Sequence, residues 1–257
     1  MLIRSWNLFH GNTSPPGSAV YLRQMVELAS ADSPDVLVLQ EVPAWALPQL
    51  GRWSGMTAVG DVAQRPRLGP VPVPAGLGRR LTDLSPGRLR SAFSGQGNAI
   101  LFGGGGRVLR HEVVTLNPAS FRRAQSRRLD LDLVARLAWS KERRICQVVR
   151  LSDGLVVANL HATGSLGDPR IPAAELRRAV PLIESLAQPG DTVVIAGDFN
   201  ALAAHWVLEG GYSEPGPGID HIAVRGAVPS PIHVWPDERH LVKGMLLSDH
   251  PPIELEL

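Results

Sequence analysis

Cysteine, lysine and aromatic side chains are scarce in this sequence of 257 residues. The single cysteine, Cys146, excludes an internal disulfide and a cysteine-rich zinc site. Because Cys146 lies in the apolar stretch 145–149, we interpret it as a core thiol rather than a nucleophile. Aromatic residues make up 5% of the chain. None interleaves with the arginines of the two arginine-rich stretches, 65–90 and 122–128, as a platform for stacking bases requires.

Long apolar runs are also missing, so the sequence predicts no helix that spans a bilayer. The first residues, Met-Leu-Ile-Arg-Ser-Trp-Asn, show neither the charged region nor the apolar region of an export signal. A hydrophobic share of 44% and a charged share of 19% are typical of a globular chain with a real core. We therefore expect a cytoplasmic protein, a single domain over residues 1–257 and a monomer.

The charge balance permits a polyanionic substrate without requiring one. Lysine occurs only at Lys141 and Lys243, so arginine carries nearly all of the positive charge. The formal net charge is +2 and the sequence pI is about 9.1. A mild positive bias of this kind is compatible with nucleic acid or another polyanion.

Apolar runs and turn residues predict hairpins mixed with helix-connected strands. The predicted strands are 2–7, 35–40, 98–102, 108–116, 145–151, 155–161, 192–196, 219–224 and 252–257. The predicted helices are one capped by Ser18, then 43–52, 118–139 and 172–187, with 64–90 as a long irregular connection. The order is not the strict alternation of a barrel or a dinucleotide-binding fold. It favours two packed mixed β-sheets with helices outside.

Acid, amide and imidazole side chains recur beside these strands. Each has a simple alternative interpretation, since Asp and Asn after a strand are common turn formers. Strand ends nevertheless give rigid positions, and we expect these side chains to meet in one pocket. The residues are Asn7, Glu41, His161, Asp198, Asn200, Asp220, Asp249 and His250.

The joint occurrence of these residues, in this order, resembles the endonuclease/exonuclease/phosphatase superfamily, whose best-known fold is that of deoxyribonuclease I. The resemblance covers roughly residues 1–50, 95–103 and 143–257, while 64–90 and 104–140 match nothing in the family pattern. It implies an α/β (α+β) fold, a four-layer sandwich of two packed mixed sheets flanked by helices. The matching segments are Trp6-Asn7, Gln40-Glu41, Gly97-Asn98-Ala99-Ile100-Leu101, Asn159-Leu160-His161, Gly197-Asp198-Phe199-Asn200, Ile219-Asp220-His221-Ile222 and Ser248-Asp249-His250-Pro251.

The resemblance implies a metal site of oxygen ligands. Glu41 is expected as the principal metal carboxylate, with Asp249 and Asn7 completing the site. Hard ligands of this kind suit Mg²⁺ or Mn²⁺.

The resemblance also implies roles in hydrolysis. Asp220 would orient His250, and that pair would activate the attacking water, which Asp198 would position. Asn200 would donate to a phosphate oxygen, and His161 would stabilise the developing charge or assist the leaving group. Asn98, Asn200 and His161 are thus the expected substrate-binding residues.

Three functions follow from these expectations. The first is a divalent-metal-dependent phosphodiesterase, a nuclease acting on DNA or RNA. The second is a phosphatase or phosphodiesterase for a small phosphorylated metabolite, nucleotide or phospholipid headgroup. The third is a non-catalytic binding domain. His161 stands where the abasic-site endonuclease branch has tyrosine, which disfavours a dedicated abasic-site enzyme.

Other histidines and arginines are not needed by this mechanism. We interpret the remaining histidines as structural or surface residues, although His221 adjoins Asp220. Two arginine-rich stretches are open to either a polyanion contact or simple solvation. The residues are His10, His111, His205, His221, His233 and His240, Arg65, Arg67, Arg79, Arg80, Arg88 and Arg90, and Arg122, Arg123, Arg127 and Arg128.

Overall fold

The computed structural model describes residues 1–17, 19–68, 71–74, 76–77, 79–80, 95–104, 106–164, 168–202 and 210–257. Within these residues the chain forms two compact units. The first unit comprises Met1–Gly106 and Ser230–Leu257, and the second comprises Arg107–Pro229. The cap predicted at Ser18, the arginines at 88 and 90, and His205 lie outside the described residues. That the chain is a single domain stays a prediction.

The described secondary structure consists of sixteen strands and five α-helices, with short 3₁₀ turns between some of them. The strands are β1 (Leu2–Asn7), β2 (Thr13–Ser14), β3 (Val36–Val42), β4 (Thr57–Gln64), β5 (Arg67–Leu68), β6 (Val71–Pro72), β7 (Gln96–Phe102), β8 (Val108–Thr115), β9 (Ile145–Leu151), β10 (Leu155–His161), β11 (Thr192–Asp198), β12 (Asp220–Arg225), β13 (His233–Val234), β14 (Leu241–Val242), β15 (Met245–Leu247) and β16 (Ile253–Glu256). The helices are α1 (Leu22–Ser30), α2 (Leu50–Ser54), α3 (Ala119–Arg128), α4 (Leu133–Ser140) and α5 (Arg170–Leu186).

The first unit is built on a six-stranded sheet in the order β13-β16-β1-β3-β7-β4. Only β1 and β3 run parallel within it, and every other neighbouring pair is antiparallel. The apolar face of α1 supplies Leu22, Met25 and Val26, which pack in a buried cluster with Leu37 and Leu39 of β3. The spacing of these helix residues is the pattern of an amphipathic helix, so the sequence already placed this face in the core.

The second unit is built on a five-stranded sheet in the order β12-β11-β10-β9-β8. Here β10 and β11 form the one parallel pair among otherwise antiparallel neighbours. Leu176, Ala179 and Ile183 of α5 pack with Val156 and Ile195 of the sheet in a buried cluster. The two mixed sheets confirm the predicted α/β class.

Besides short strands of two or three residues that were not predicted, such as β5 and β6 within 64–90, the structure differs from the predicted elements in three longer segments. The helix expected over 118–139 is two helices, because the chain turns at Asp130 (φ 49°) and Asp132 caps α4 by accepting from the Ala135 amide at 2.7 Å. The helix expected over 43–52 shrinks to a 3₁₀ turn and the five-residue α2. Strand β4 was not predicted, since most of its residues are partly or fully exposed and lack an apolar alternation.

The structure bears on two predictions, one about Cys146 and one about membrane-spanning helices. Cys146 is buried, and burial raises the pKa of its thiol to about 12, so it is an unreactive core residue as predicted. Among the described helices, none has the length and apolarity to cross a membrane.

A buried arginine of β1 joins the end of α1 to β16 in the first unit. The Arg4 side chain, 0% exposed, donates to both Asp32 carboxylate oxygens at 2.6 and 2.7 Å and to Glu254 at 2.7 Å. Arg239, 35% exposed, reaches the same two carboxylates at 2.9 Å each. The two guanidinium groups lie 4.5 Å and 3.6 Å from the ring centroid of Trp235, so both stack on one indole.

This arrangement offers a matched pair of arginines that differ in burial. We expect Arg4→Leu to lower the free energy of unfolding by about 3–5 kcal/mol, because it removes a fully buried guanidinium and leaves the largely buried Glu254 with only the more exposed Arg239 as an arginine partner. Arg239→Leu removes a half-exposed partner of the same acids and should cost less than about 1 kcal/mol. Urea denaturation of both variants tests this expectation. Equal losses would show that burial does not set the strength of the network.

Candidate functional site

The first unit places two predicted site residues at the end of its parallel strand pair. Asn7 is the last residue of β1 and is paired in register with Gln40 of β3, directly before Glu41. The Leu8 amide continues this pairing by donating to the Gln40 carbonyl at 3.0 Å. Parallel strands end at the same edge of a sheet. Asn7 and Glu41 are therefore neighbours because β1 and β3 are parallel and end at the same edge.

Glu41 occupies a β-bulge rather than a simple strand end. Leu39 pairs with Ala99 and Val42 pairs with Gly97, so Gln40 and Glu41 together lie opposite Asn98. Glu41 has a φ of 52°, a left-handed backbone that a glutamate rarely adopts. A bulge re-aims a side chain, which is typical of functional sites. The predicted substrate-binding residue Asn98 is buried on the adjacent strand β7.

The segment that carries Asp249 and His250 is tied to the end of β1. The Ser248 hydroxyl donates to the Asn7 carbonyl at 2.7 Å and accepts from the His250 amide at 3.1 Å. The Trp6 indole donates to the His250 carbonyl at 2.8 Å. The first unit thus gathers Asn7, Glu41, Asp249 and His250 on three connected segments.

His10 is a member of this group that the sequence analysis assigned to the structural histidines. Its Nε2 lies 3.2 Å from Glu41 Oε2, and its side chain is only 6% exposed. His10 also has a left-handed backbone, with φ 54°, inside the 3₁₀ turn that follows β1. No periodicity marks a residue in such a turn, so its distance of three residues from Asn7 was the only signal.

The second unit aligns three predicted residues across three adjacent strands. His161 is paired in register with Asp198, and Asp198 is paired with Asp220. His161 Nε2 lies 3.4 Å from Asp198 Oδ2, and both side chains are at most 5% exposed. Since residues side by side on adjacent strands point to the same face, the three side chains form one row.

Asn200 closes this row by turning the chain back onto it. Its backbone amide donates to Asp198 Oδ1 at 2.9 Å, and its side-chain amide donates to the Ala162 carbonyl at 3.0 Å. Gly197, with φ 137°, precedes Asp198, and a Cβ there would lie 2.0 Å from the Leu160 carbonyl oxygen. The Gly-Asp-Phe-Asn motif therefore needs its glycine for close approach to β10, as well as its polar residues for chemistry.

Arg144 is a second residue that sequence reasoning missed. Its Nη1 lies 2.7 Å from His161 Nδ1, and its Nη2 lies 2.6 Å from a Glu142 carboxylate oxygen. The side chain is 9% exposed, so a guanidinium charge is held beside the histidine in a largely buried setting. Arg144 directly precedes β9, outside every strand-end motif, and only its position in the Glu-Arg-Arg run marked it in sequence.

A buried carboxylate supports the segment that follows His161. Glu175 of α5 accepts from the Thr163 amide and hydroxyl at 2.7 Å each, and from the Trp139 indole. Burial raises the pKa of the Glu175 carboxyl above its ordinary range, while these hydrogen bonds and the charge of Arg144 act against that rise. Trp139 belongs to the segment 104–140 that matched nothing in the family pattern. Through Trp139 and Glu175, this segment helps to fix the position of Thr163, two residues after His161.

Asn117 extends the same support to Arg144. Its side-chain amide donates to the Thr163 hydroxyl at 3.3 Å and to the Glu142 carbonyl at 2.8 Å, and its Oδ1 accepts from the Arg144 amide at 2.9 Å. One connected network thus runs from Glu175 through Thr163 and Asn117 to the arginine beside His161.

The raised pKa of Glu175 predicts a pH-dependent contribution to stability. Because the folded state binds this proton more tightly than the unfolded state, the contribution is complete below the ordinary value of 4.5 and is lost as pH rises through the folded pKa. In Glu175→Gln the contribution is absent. Relative to this variant, the wild type should lose unfolding free energy as the pH rises above the ordinary value of 4.5, as measured by urea denaturation.

A conservative variant on the same network serves as the control. Trp139→Phe removes one donor to Glu175 but keeps the titrating group, so it should retain a pH-dependent loss of stability, shifted to higher pH than in the wild type because the lost hydrogen bond lowers the pKa of Glu175. An unchanged difference between wild type and Glu175→Gln across the pH range would show that the pKa of Glu175 is not raised.

The other candidates from sequence divide into structural and surface residues. His221 is buried, its Nε2 lies 2.6 Å from the Ala201 carbonyl, and its ring packs on Phe199, so it does not share the face of Asp220. His240 is buried against Trp6, and burial lowers its pKa. His111 and His233 are exposed strand residues. Of the second arginine group, Arg122 is held by the Asn117 carbonyl, and Arg123, Arg127 and Arg128 are exposed.

Each unit therefore carries its own set of site residues at the end of its parallel strand pair. Asn7, Glu41, Asn98, Asp249 and His250 belong to the first unit. His161, Asp198, Asn200 and Asp220 belong to the second. Acid, amide and imidazole groups of this kind can bind a cation, hold a phosphate oxygen and transfer a proton. The pairing of Asp220 with His250 and the roles of the individual residues stay predictions.

The sequence matches the Endonuclease/Exonuclease/phosphatase family over residues 5–250. The chain belongs to this family, whose members are phosphoesterase hydrolases. Comparison with curated proteins finds no match.

Solved structures of this family share the fold. An endonuclease/exonuclease/phosphatase from Beutenbergia cavernae is 17% identical with a TM-score of 0.65, over 100% of this chain and 71% of that one. A humanized TDP2 from D. rerio is 17% identical with a TM-score of 0.64, over 99% of this chain and 97% of that one. The mannosyl-6-phosphatase Bt3783 from Bacteroides thetaiotaomicron is 14% identical with a TM-score of 0.61, over 100% of this chain and 98% of that one. At these identities the likeness concerns the deoxyribonuclease-I-like fold alone.

Proposed function

We propose that the protein is a divalent-metal-dependent phosphodiesterase that hydrolyses DNA or RNA by in-line attack of water. The observation that carries this proposal is the placement of the predicted site residues in both units. In each, they stand at the shared end of the one parallel strand pair. Membership of a phosphoesterase family supports the reaction class. The choice of a nucleic-acid substrate is our inference.

The residues proposed to hold the metal fit a hard cation. Glu41, Asp249 and Asn7 offer carboxylate and amide oxygens, the donors that Mg²⁺ and Mn²⁺ prefer. The strained backbone of Glu41, at φ 52°, is the kind of feature that persists where a side chain must be aimed. A bound cation would supply Lewis-acid stabilisation of the charge that develops on phosphate.

The chain's own groups then perform the remaining tasks. We assign the removal of a proton from the attacking water to His250, oriented by Asp220, and the positioning of that water to Asp198. Asn98, Asn200 and His161 bind the phosphate oxygens, with His161 stabilising negative charge or assisting the leaving group. Arg144, 2.7 Å from a His161 ring nitrogen, adds a fixed positive charge where that negative charge would develop.

The second candidate is a phosphatase or phosphodiesterase acting on a small phosphorylated molecule. A specific observation favours keeping it, since the mannosyl-6-phosphatase covers the whole chain with the same fold. The two candidates differ in salt dependence, because affinity for a nucleic acid falls steeply with salt and affinity for a small ester does not. A non-catalytic binding domain is the remaining alternative, and retention of every site motif argues against it.

The direct test is hydrolysis by purified protein with Mg²⁺ or Mn²⁺. Substrates are plasmid DNA, single-stranded DNA, RNA, bis-p-nitrophenyl phosphate and simple phosphomonoesters. We expect cleavage of a nucleic acid by the wild type, and a loss of at least about 100-fold in Glu41→Ala and His250→Ala, since each removes a group used in the chemical step. Arg136→Gln, an exposed residue of α4, is the control.

Each other result has a definite meaning. Turnover of monoesters alone would contradict the nuclease proposal and leave the site assignment intact. Activity that survives in both alanine variants would contradict the assignment of Glu41 and His250. No turnover of any substrate would favour the non-catalytic alternative.

The contact between His10 and Glu41 makes a prediction about metal affinity that is independent of turnover. His10→Asn tolerates the left-handed backbone but is too short to reach Glu41, so the carboxylate is held less firmly. We expect the affinity for Mn²⁺ to fall about 10- to 100-fold, as for other residues that orient a ligand. Isothermal titration calorimetry measures this change directly.

His233 provides the matched control, since its ring nitrogen lies 3.3 Å from the carboxylate of Glu254. It is 59% exposed, and neither residue belongs to the proposed metal site. His233→Asn should bind Mn²⁺ as the wild type does. Equal affinity in His10→Asn would show that His10 does not position Glu41.

A further inference from the structure

An open groove in the first unit combines indole rings with arginines. Its volume is about 890 Å³, which lies within the range of ligand sites. Trp45 and Trp53 meet edge to face in it, with ring centroids 6.2 Å apart and planes at 74°. The guanidinium of Arg79 lies 4.6 Å from the Trp45 ring centroid. Arg23, Arg52 and Arg79 line the groove, and none of the described lining residues is acidic.

These residues come from three separate stretches of sequence. Arg23 belongs to α1, Arg52 and Trp53 to α2, and Arg79 to the stretch expected to be an irregular connection. No aromatic residue interleaves in sequence with the arginine-rich stretches, but the fold brings Arg79 over the ring of the distant Trp45. The arginines and indoles thus form one surface although they are distant in sequence.

Two of the three groove arginines have no acidic partner among the described residues. Arg23 is paired with Glu27 at 2.7 Å, but neither Arg52 nor Arg79 forms an ion pair with a described residue. Both side chains belong to exposed residues. Such cations favour an anionic ligand. The indole that Arg79 covers offers a face for a planar group, so the ligand chemistry is that of an aromatic ring joined to phosphate.

The groove also lies close in sequence to the proposed metal carboxylate. Trp45 follows β3 by three residues, and β3 ends one residue after Glu41. A ligand bound in the groove therefore contacts the segment that directly follows β3 and Glu41.

We propose that this groove binds an unpaired nucleotide segment of a nucleic acid. The base stacks on the face of Trp45 by displacing the exposed Arg79 side chain from it, and the backbone phosphates contact Arg52 and the displaced Arg79. Stacking on an aromatic side chain with cationic contacts to the backbone is how single strands are bound without sequence preference. A paired base cannot reach an indole in this way, so the groove selects single-stranded over duplex substrate. The inference deepens the proposed function by naming the form of its substrate.

Binding in the presence of EDTA tests the groove without any catalysis. The probes are a fluorescein-labelled thymidine oligomer of roughly 12 nucleotides, an abasic oligomer of the same length, the matching duplex and free thymidine monophosphate. Fluorescence anisotropy gives each Kd. We expect the thymidine oligomer to bind more tightly than the other three, because it alone offers both unpaired bases and a continuous backbone.

Variants separate the two parts of the surface. Trp45→Leu should raise the Kd for the thymidine oligomer about 5- to 150-fold and leave that for the abasic oligomer unchanged. Trp45→Phe keeps a ring and should retain most of the affinity. Arg52→Gln and Arg79→Gln should weaken both oligomers and flatten the salt dependence. Arg136→Gln is the charge control and should change nothing.

The outcomes distinguish this proposal from the proposed function. Equal binding of thymidine and abasic oligomers, or of the free nucleotide and the oligomer, would overturn the groove proposal even if the protein cleaves nucleic acid. Loss of binding in Trp45→Leu with a changed thermal midpoint and no rescue by Trp45→Phe would also overturn it, as evidence of a structural role. The expected pattern of binding in a protein without hydrolytic activity would support the groove and contradict the catalytic assignment.

Discussion

A single topological constraint underlies both sets of site residues, namely that two parallel strands end at the same edge of a sheet. Each unit contains one parallel pair, β1 with β3 and β10 with β11, in an otherwise antiparallel sheet. Asn7 and Glu41 stand at the end of the first pair, and His161 and Asp198 at the end of the second. Antiparallel neighbours would send these residues to opposite edges. The two exceptional pairs therefore fix where polar chemistry accumulates.

A buried polar network in the second unit holds one of those strand ends in place. The segment after His161 is fixed by hydrogen bonds from Thr163 to buried Glu175, and Trp139 and Asn117 complete the network. Burying a carboxylate is unfavourable unless several donors satisfy it. The cost of Glu175 is thus offset only when α4, α5 and the strand end are assembled together. The same requirement gives the unmatched segment a structural task beside the site.

Much of the fold and most of the candidate positions could be predicted from sequence because their signals are local. The hairpin of β9 and β10 was placed at its observed bounds by apolar runs on either side of Ser-Asp-Gly. Asn7, Glu41, His161 and Asp198 followed from the ends of such runs. The positions that escaped prediction depend on contacts between distant segments. His10 contacts Glu41, Arg144 contacts His161, and Arg79 contacts Trp45. The residues of each pair are distant in sequence, so no local pattern predicts these contacts.

The left-handed backbone recurs among the site residues in a way that bears on how such a protein evolves. His10, Glu41, Asn200 and Ser248 all have φ between 50° and 70°, although none is glycine. Asparagine tolerates this region, but His10, Glu41 and Ser248 each give up roughly 1–2 kcal/mol relative to a relaxed backbone. Glycine at these three positions would relieve the strain and remove the side chain in the same step. Selection for a more stable fold and selection for the proposed chemistry therefore act in opposite directions there, and a relative with glycine at these positions would be expected to lack that chemistry.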